Sequence, residues 1–190
     1  MIGILLVLIL TVLIFLLSIR VEFTKYLDEK YSELSFEVGF TKVDPIYGKF
    51  YTKATCLDDN TIFTISKSFR MKDISENYIG RKSQNQYNSK INEVFYGSGL
   101  ENKIRSVTGS GNTTYENGSI YTQINIYLSN DVEPISVIKN ILNVLRKNNI
   151  SAEKIIWTYE KEKHVYAIEL SSDEYYLTEK EIEAKVKKIK

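Results

Sequence analysis

The sequence predicts an α+β protein: an N-terminal transmembrane helix, then an antiparallel β-meander and helices. Three observations predict it. The run from Met1 to Ile19 carries no charged side chain, and every Lys, Arg, Asp and Glu falls after it. Leu34, Phe36, Val38 and Phe40 alternate with Ser35, Glu37, Gly39 and Thr41, a period of two that marks a half-buried strand. Further along, helix-start signals alternate with strand patterns, which suits segregated helices and antiparallel strands.

Only Gly3, Thr11 and Ser18 interrupt the apolar run. As a helix it spans roughly 28 Å, close to the hydrocarbon thickness of a bilayer. No basic residue precedes it and Leu17-Ser18-Ile19 lacks a small-residue cleavage pattern, so an uncleaved anchor over residues 1–19 is expected. A type IV pilin-like anchor would need an acid within the apolar helix, and the first acid is Glu22. Arg20, Lys25 and Lys30 follow the span, which by the positive-inside rule alone would place the remainder in the cytoplasm.

Residues 20–32 continue the helix, with Phe23, Tyr26, Leu27 and Tyr31 on one face. After the alternating stretch, Asp44-Pro45-Ile46-Tyr47-Gly48 is a turn. Lys49 to Leu57 is a second strand, Asp58-Asp59-Asn60 a hairpin loop, and Thr61 to Phe69 a third strand. Asp73-Ile74-Ser75-Glu76 has capping-box spacing and opens a polar helix to about Phe95. Residues 97–118 hold five of the nine Gly and read as a connection, with a short strand over Lys103 to Val107 and a flexible turn at Gly109-Ser110-Gly111. A second lobe is expected over 119–190, separate from 20–96 or continuous with it.

That lobe opens with a strand whose faces are Ile120, Thr122, Ile124, Ile126 and Leu128 against Tyr121, Gln123, Asn125 and Tyr127. Pro134 falls in the first turn of a helix striped by Ile135, Ile138, Ile141, Leu142 and Leu145, and Asn148-Asn149 ends it. Strands follow at Glu153–Glu160 and Lys163–Ser171, joined at Lys161-Glu162. Thr178 and Glu181 form a capping box for a last helix, with Leu177 stapled on Ile182, and Ile182, Val186 and Ile189 on its buried face. Its lysines, Lys185, Lys187, Lys188 and Lys190, suit the negative end of a helix dipole.

Charge and composition exclude several functions. With 25 Lys and Arg against 24 Asp and Glu, the chain lacks the basic excess of a nucleic-acid binder. One Cys rules out an internal disulfide and one His rules out His-rich metal sites. The Gly between Gly97 and Gly118 do not spell a phosphate loop. Cys56 and His164 could pair as nucleophile and base, but Cys56 sits on the Phe50-Thr52-Ala54 strand face and neither has a local signature. The acid pairs Asp58-Asp59 and Asp173-Glu174 read as turn residues. Asn112, Asn117 and Asn149 match the glycosylation pattern, too common in an Asn-rich chain to decide anything. The expectation is therefore no catalytic residue, no cofactor and no metal. Among the 14 Tyr, Tyr121 and Tyr127 on a polar strand face and Tyr175-Tyr176 before the last helix are the candidate ligand-binding residues, because a phenol offers apolar area with a polar tip.

Lys25-Tyr26-Leu27-Asp28-Glu29-Lys30-Tyr31, then Phe36-Glu37-Val38, Tyr47-Gly48-Lys49-Phe50-Tyr51 and Asn77-Tyr78-Ile79, resemble the YfjL-like family of small uncharacterised envelope proteins and lipoproteins of Gram-positive bacteria. The resemblance covers residues 20–96. The lipobox Cys of many such proteins is missing, so the span would replace the lipid. No catalytic residues carry over. The resemblance implies an outward-facing, extracytoplasmic module on the cell membrane, against the literal charge rule. The functional expectation is a single-pass membrane protein whose module binds an envelope protein, a peptide or a wall component by strand-edge or groove recognition. A cystatin-like or PepSY-like protease-regulating module is the alternative, although no Gln-x-Val-x-Gly loop occurs.

Overall fold

The computed structural model of the chain describes residues 2–116 and 118–190. Met1, the first residue of the apolar run, and Asn117, one glycosylation-pattern acceptor, lie outside the described residues. The fold is α+β. The chain divides into two compact units, Met1–Arg81 and Lys82–Lys190.

Unit 1 begins with α1, Ile2–Lys30, a helix of 29 residues. At 1.5 Å per residue it is about 43 Å long, more than a bilayer's hydrocarbon core requires. Among the described residues it is the helix long and apolar enough to cross a membrane. Its two halves behave differently. Ile4 to Leu10, Val12 to Phe15 and Leu17 are exposed over roughly half their surface or more. Water does not tolerate an apolar surface of that extent on a monomer. From Ile19 onward the helix turns one face into protein: Ile19, Phe23 and Leu27, four apart, are buried.

They pack on a five-stranded antiparallel sheet formed by β1 (Phe36–Val38), β2 (Lys42–Asp44), β3 (Lys49–Cys56), β4 (Ile62–Ser68) and β5 (Ile74–Glu76). The order is β1-β3-β4-β5, and β2 also pairs with β3. Of the expected strand over 34–41 only Phe36–Val38 forms, and a further short strand, Lys42–Asp44, follows it into the expected turn. β1 opposes Ala54 to Cys56, β2 opposes Lys49 to Tyr51, and the chain bends between them. The alternation breaks there: Phe40 is exposed and Thr41 is buried in its place.

A second departure concerns residues 73–76. The capping-box spacing does not open a helix, because Ile74–Glu76 pairs with Ile65–Lys67 as β5. The helix α2, Tyr78–Phe95, starts two residues past β5, and the Glu76 carboxylate accepts from the Tyr78 amide. Tyr78 belongs to the core of unit 1, while Tyr87, Ile91 and Phe95 of the same helix belong to that of unit 2.

Unit 2 is a second five-stranded sheet: β6 (Ile104–Ser110), β7 (Tyr121–Leu128), β8 (Ala152–Lys161), β9 (His164–Leu170) and β10 (Lys187–Lys188), ordered β10-β9-β8-β7-β6. All neighbours are antiparallel except β7 and β8, which run parallel. That pair departs from the antiparallel expectation, and its cause is α3, Pro134–Lys147, the crossover that parallel neighbours require. Pro134 opens α3 where a missing N–H costs nothing, and the Glu133 side chain caps it by accepting from the Ser136 amide. Asn149, at φ 54°, closes it. The Asn149 amide reaches the Arg146 carbonyl (3.1 Å) and the Ile150 amide reaches the Leu145 carbonyl (2.9 Å), a complete Schellman motif.

The Gly-rich stretch is more ordered than a connection. β6 extends through Ser110, so Gly109 lies in a strand rather than a flexible turn. A Cβ at Gly109 would fall 2.6 Å from the Tyr121 ring, and one at Gly111 would fall 2.0 Å from the Tyr87 ring. At both positions a tyrosine ring fills the space that only glycine leaves open. This explains a third departure: Tyr121 is fully buried, whereas Ile120 is exposed, so the strand's first residue turns inward over Gly109.

The last helix also differs. The Thr178–Glu181 capping box forms, with the Thr178 amide donating to Glu181 at 2.7 Å. The helix, α4, ends at Glu183, and Lys187-Lys188 pair with Ala167 and Tyr166 as β10. Ile189 is exposed instead of continuing a buried helix face.

Candidate binding face

The apolar side chains of β7 and β8, including Ile124, Ile126 and Trp157, share a core with α2 and α3. The opposite face of the sheet is polar and is not packed by those helices. Gln123 and Asn125 of β7 bond side chain to side chain at 2.7 Å, and Lys154 of β8 pairs with Glu169 of β9 at 3.1 Å. Tyr127 stands on this face opposite Thr158 in the parallel register. The face deepens where both parallel strands end, beside the loop that leads into α3. A hollow of 410 Å³ opens there, walled by polar Arg105, Ser106, Asn130, Thr158 and Glu160 and by Tyr127, Leu128, Tyr159 and Val165. A second hollow, of 540 Å³, shares Asn130, Tyr159 and Glu160 and reaches Glu133 and Lys163. The first hollow lies at the C-terminal end of the parallel pair, beside the loop from β7 into α3.

The electrostatics of this end are balanced. Glu133, Glu160 and Glu162 line the two hollows together with Arg105, Lys161 and Lys163. The N-terminus of α3 offers no free anion site, since Glu133 already takes the Ser136 amide at 2.7 Å. Burial, and then Tyr166, Glu133 and Glu183, raise the Tyr159 phenol, which therefore stays a neutral hydrogen-bond donor. Two tyrosine rings, Tyr127 and Tyr159, with the Asn130 amide, the Ser106 and Thr158 hydroxyls and charges of both signs in equal number, can hold a neutral, hydroxyl- or amide-rich ligand.

The tyrosines singled out from the sequence do not meet at one place. Tyr127 is 47 % exposed and walls the first hollow. Tyr121 is enclosed in the core. Tyr175 is buried with its hydroxyl on the Ile150 carbonyl (2.8 Å), just ahead of β8 and so at the strand end opposite Tyr127. Tyr176 is exposed and holds the Arg146 guanidinium over its ring at 5.1 Å. Burial raises the phenols of Tyr121 and Tyr175. Arg105, Ser106, Asn130, Thr158 and Glu160 are the hollow's polar residues that pattern reading missed. The signal for them was the strand–helix–strand order around α3, which implies a parallel pair and a loop beside its C-terminal end.

Cys56 is fully buried within unit 1, with the Tyr78 hydroxyl donating to its sulfur at 3.5 Å. His164 is in unit 2, its Nδ1 2.9 Å from the Glu162 carbonyl. The acid pairs serve turns. Asp58 accepts from the Ser35 amide (2.7 Å) and Asp59 from the Thr61 amide (3.0 Å). Glu174 pairs with Lys185 at 2.5 Å, and that contact holds its carboxyl below the usual range.

The strongest charged arrangement in unit 1 is structural. Lys30 Nζ and the Tyr31 hydroxyl each lie 2.7 Å from the same oxygen of Glu76, while the Tyr78 amide donates to the other. The Glu76 side chain is 5 % exposed. Burial alone would raise its carboxyl, but the hydrogen bonds from Lys30, Tyr78 and Tyr31 outweigh burial and hold it below the usual carboxylate range. Burial and then the bond to Glu76 push the Tyr31 phenol up to about 12. The cluster fastens the end of α1 to β5 and the start of α2.

Among the described residues no group of three or more His, Cys, Asp and Glu could hold a metal ion. Comparison with family models, with curated proteins and with solved structures finds no match to this chain.

Proposed function

We propose that the chain is a single-pass membrane protein whose unit 2 is a non-catalytic binding module for a neutral polar ligand of the cell envelope. The observation that carries this reading is the pair of joined hollows at the end of β7 and β8, with Tyr127 exposed on their wall and opposite charges in equal number around them. A glycan of the wall, or an amide-rich peptide segment of an envelope protein, has the chemistry such a surface recognises: hydroxyls and amides for Ser106, Asn130 and Thr158, and a flat apolar patch for the tyrosine ring. The groove is favoured over strand-edge recognition because both edges of the sheet are blunted. β10 is two residues long and lysine-rich, and on β6 the Gly109 amide is already taken by Asn88 at 2.8 Å. The resemblance of residues 20–96 to outward-facing envelope proteins supports an extracytoplasmic module on the cell membrane.

The test is a titration of the detergent-solubilised chain with soluble wall fragments and, separately, with a pool of neutral peptides, followed by NMR. Shifts gathered at Tyr127, Asn130 and Thr158 are expected from one of them, and Tyr127→Ala should weaken that binding about tenfold or more. No shifts at these residues from either pool would overturn the reading.

A further inference from the structure

Phe15 lies on α1 five residues before Arg20, the first charge of the chain. Its ring meets Phe50 of β3 edge-on at 5.4 Å, and Phe50 in turn meets Phe69 at 4.6 Å. The apolar half of the helix is therefore in contact with one particular end of the unit 1 sheet. Two turns close the sheet at that end: Asp44 to Lys49 between β2 and β3, and Phe69 to Asp73 between β4 and β5. They are tied together by the Phe69 amide, which donates to the Gly48 carbonyl at 2.8 Å.

These turns expose what a surface in water would not. Ile46 is 88 % exposed, Tyr47 76 % and Met71 62 %, with Phe69 beside them at 46 %. A hollow of 400 Å³ lies between the turns, walled in part by Tyr47, Phe69 and Arg70. The charges around them are Lys42, Lys49, Arg70 and Lys72 against Asp44 and Asp73, whereas the turn at the far end of β3 carries Asp58 and Asp59. The Lys49 ammonium sits over the Tyr47 ring at 5.3 Å, so apolar face and cation point the same way.

Depth decides what covers this surface. At 1.5 Å per residue, Phe15 is about 7–8 Å further along α1 than Arg20. With Arg20 at the headgroups, Phe15 and whatever touches it lie at the boundary of headgroup and acyl chain, where amphipathic surfaces of Tyr, apolar side chains and Lys or Arg partition. We propose that the two turns are a membrane foot: Ile46, Tyr47, Phe69 and Met71 enter the bilayer boundary beside α1, and Lys42, Lys49, Arg70 and Lys72 meet lipid phosphates. The occupant is the bilayer that α1 crosses, because Phe15 joins the two surfaces without a gap. This inference rests on α1 spanning the membrane and is independent of the ligand assigned to unit 2. Its consequence is that unit 1 stands in one fixed orientation on the bilayer rather than swinging from it.

The test uses the full chain in vesicles of phosphatidylcholine and phosphatidylglycerol, with a polarity-sensitive fluorophore on a single introduced thiol. Cys56 is fully buried and does not compete for the label. Ile46→Cys reports the foot, Leu57→Cys the far turn and Leu8→Cys the span. Lipids brominated near the headgroup should quench Ile46, lipids brominated near the bilayer centre should quench Leu8, and neither should quench Leu57. The Ile46 label should also emit to the blue of the Leu57 label. An Ile46 label that behaves like Leu57, while Leu8 is quenched, overturns the foot and leaves the span standing. A Leu8 label that escapes both quenchers overturns the span and the foot together. Shielding of Ile46 in native membranes but not in vesicles also overturns the proposal, since a protein would then be the occupant.

Discussion

In unit 1, α1 alone supplies Ile19, Phe23 and Leu27, three of the nine buried core residues, whereas the core of unit 2 draws on 23 and takes none from α1. The two cores share no residue. The unit 1 sheet packs on the helix that also carries the apolar run, and three polar ties hold the two together: Glu76 with Lys30 and Tyr31, Lys67 with Glu22, and Arg20 with the Val38 carbonyl. Unit 2 is a sheet of the same strand number backed by α2 and α3 around Trp157. The difference is one of dependence: the core of unit 1 draws on the helix that carries the apolar run, and the core of unit 2 does not.

The sharpest way to break that comparison is to empty each core in turn. Phe23→Ala should destabilise unit 1 by about 3–5 kcal/mol, and Trp157→Ala should do the same to unit 2. Hydrogen exchange on the solubilised chain should show protection lost from β1–β5 in the first variant and from β6–β10 in the second. Loss across both sheets from either substitution would mean that the two cores act as one.

The buried carboxylate comes next. Glu76→Gln keeps the shape but gives up a charged acceptor of three hydrogen bonds, at a cost of about 1.5–3 kcal/mol, reduced because Lys30 is partly exposed. The pH dependence has a definite sign. Glu76 titrates lower in the folded chain than its ordinary value of 4.5, so its stabilisation is complete above that value and is lost as the pH falls through the folded value. Thermal melts of unit 1 should therefore weaken in acid below about 4.5, and Glu76→Gln should flatten that dependence while unit 2 is unaffected.

In unit 2 the corresponding weak point is packing without charge. Gly111→Ala places a methyl group against the Tyr87 ring and should cost about 1–3 kcal/mol, read as a lower midpoint in urea for unit 2 alone. An unchanged midpoint would show that the Tyr87 ring moves aside freely.

What could be read from the sequence was what local chemistry decides. The apolar run, the Pro134 start and Asn148-Asn149 end of α3, and the Thr178–Glu181 box depend on residues within one turn of each other. What could not be read depends on partners far along the chain. Glu76 looks like a capping-box acid until Lys30 and Tyr31 claim it, and Ile74 to Glu76 then pair as a strand. Tyr121 looks surface-facing because its neighbours alternate, and only the missing side chain at Gly109 makes room for it inside. Lys187 and Lys188 look like a helix end until β9 offers them an edge. The candidate face was half legible: Tyr127 stands out by composition, but Arg105 and Asn130 join it only through the parallel pairing that α3 imposes.

The smallest effect concerns the hairpin at the rim of that face. β8 and β9 pair through Lys161 and His164, leaving Glu162 and Lys163 as a two-residue turn. Both have positive φ, 52° and 66°, which this turn demands so that its twist matches the strands, and which side chains with a Cβ resist. Asn-Gly meets the same geometry without that strain. Replacing Glu162 and Lys163 together by Asn and Gly should stabilise unit 2 by about 0.4–1 kcal/mol and leave unit 1 unchanged. The replacement also removes one acid and one base from the rim of the second hollow, so the charge balance there persists. Ligand affinity should therefore hold while the melting temperature of unit 2 rises. A rise accompanied by lost binding would place the ligand against the hairpin itself rather than against Tyr127.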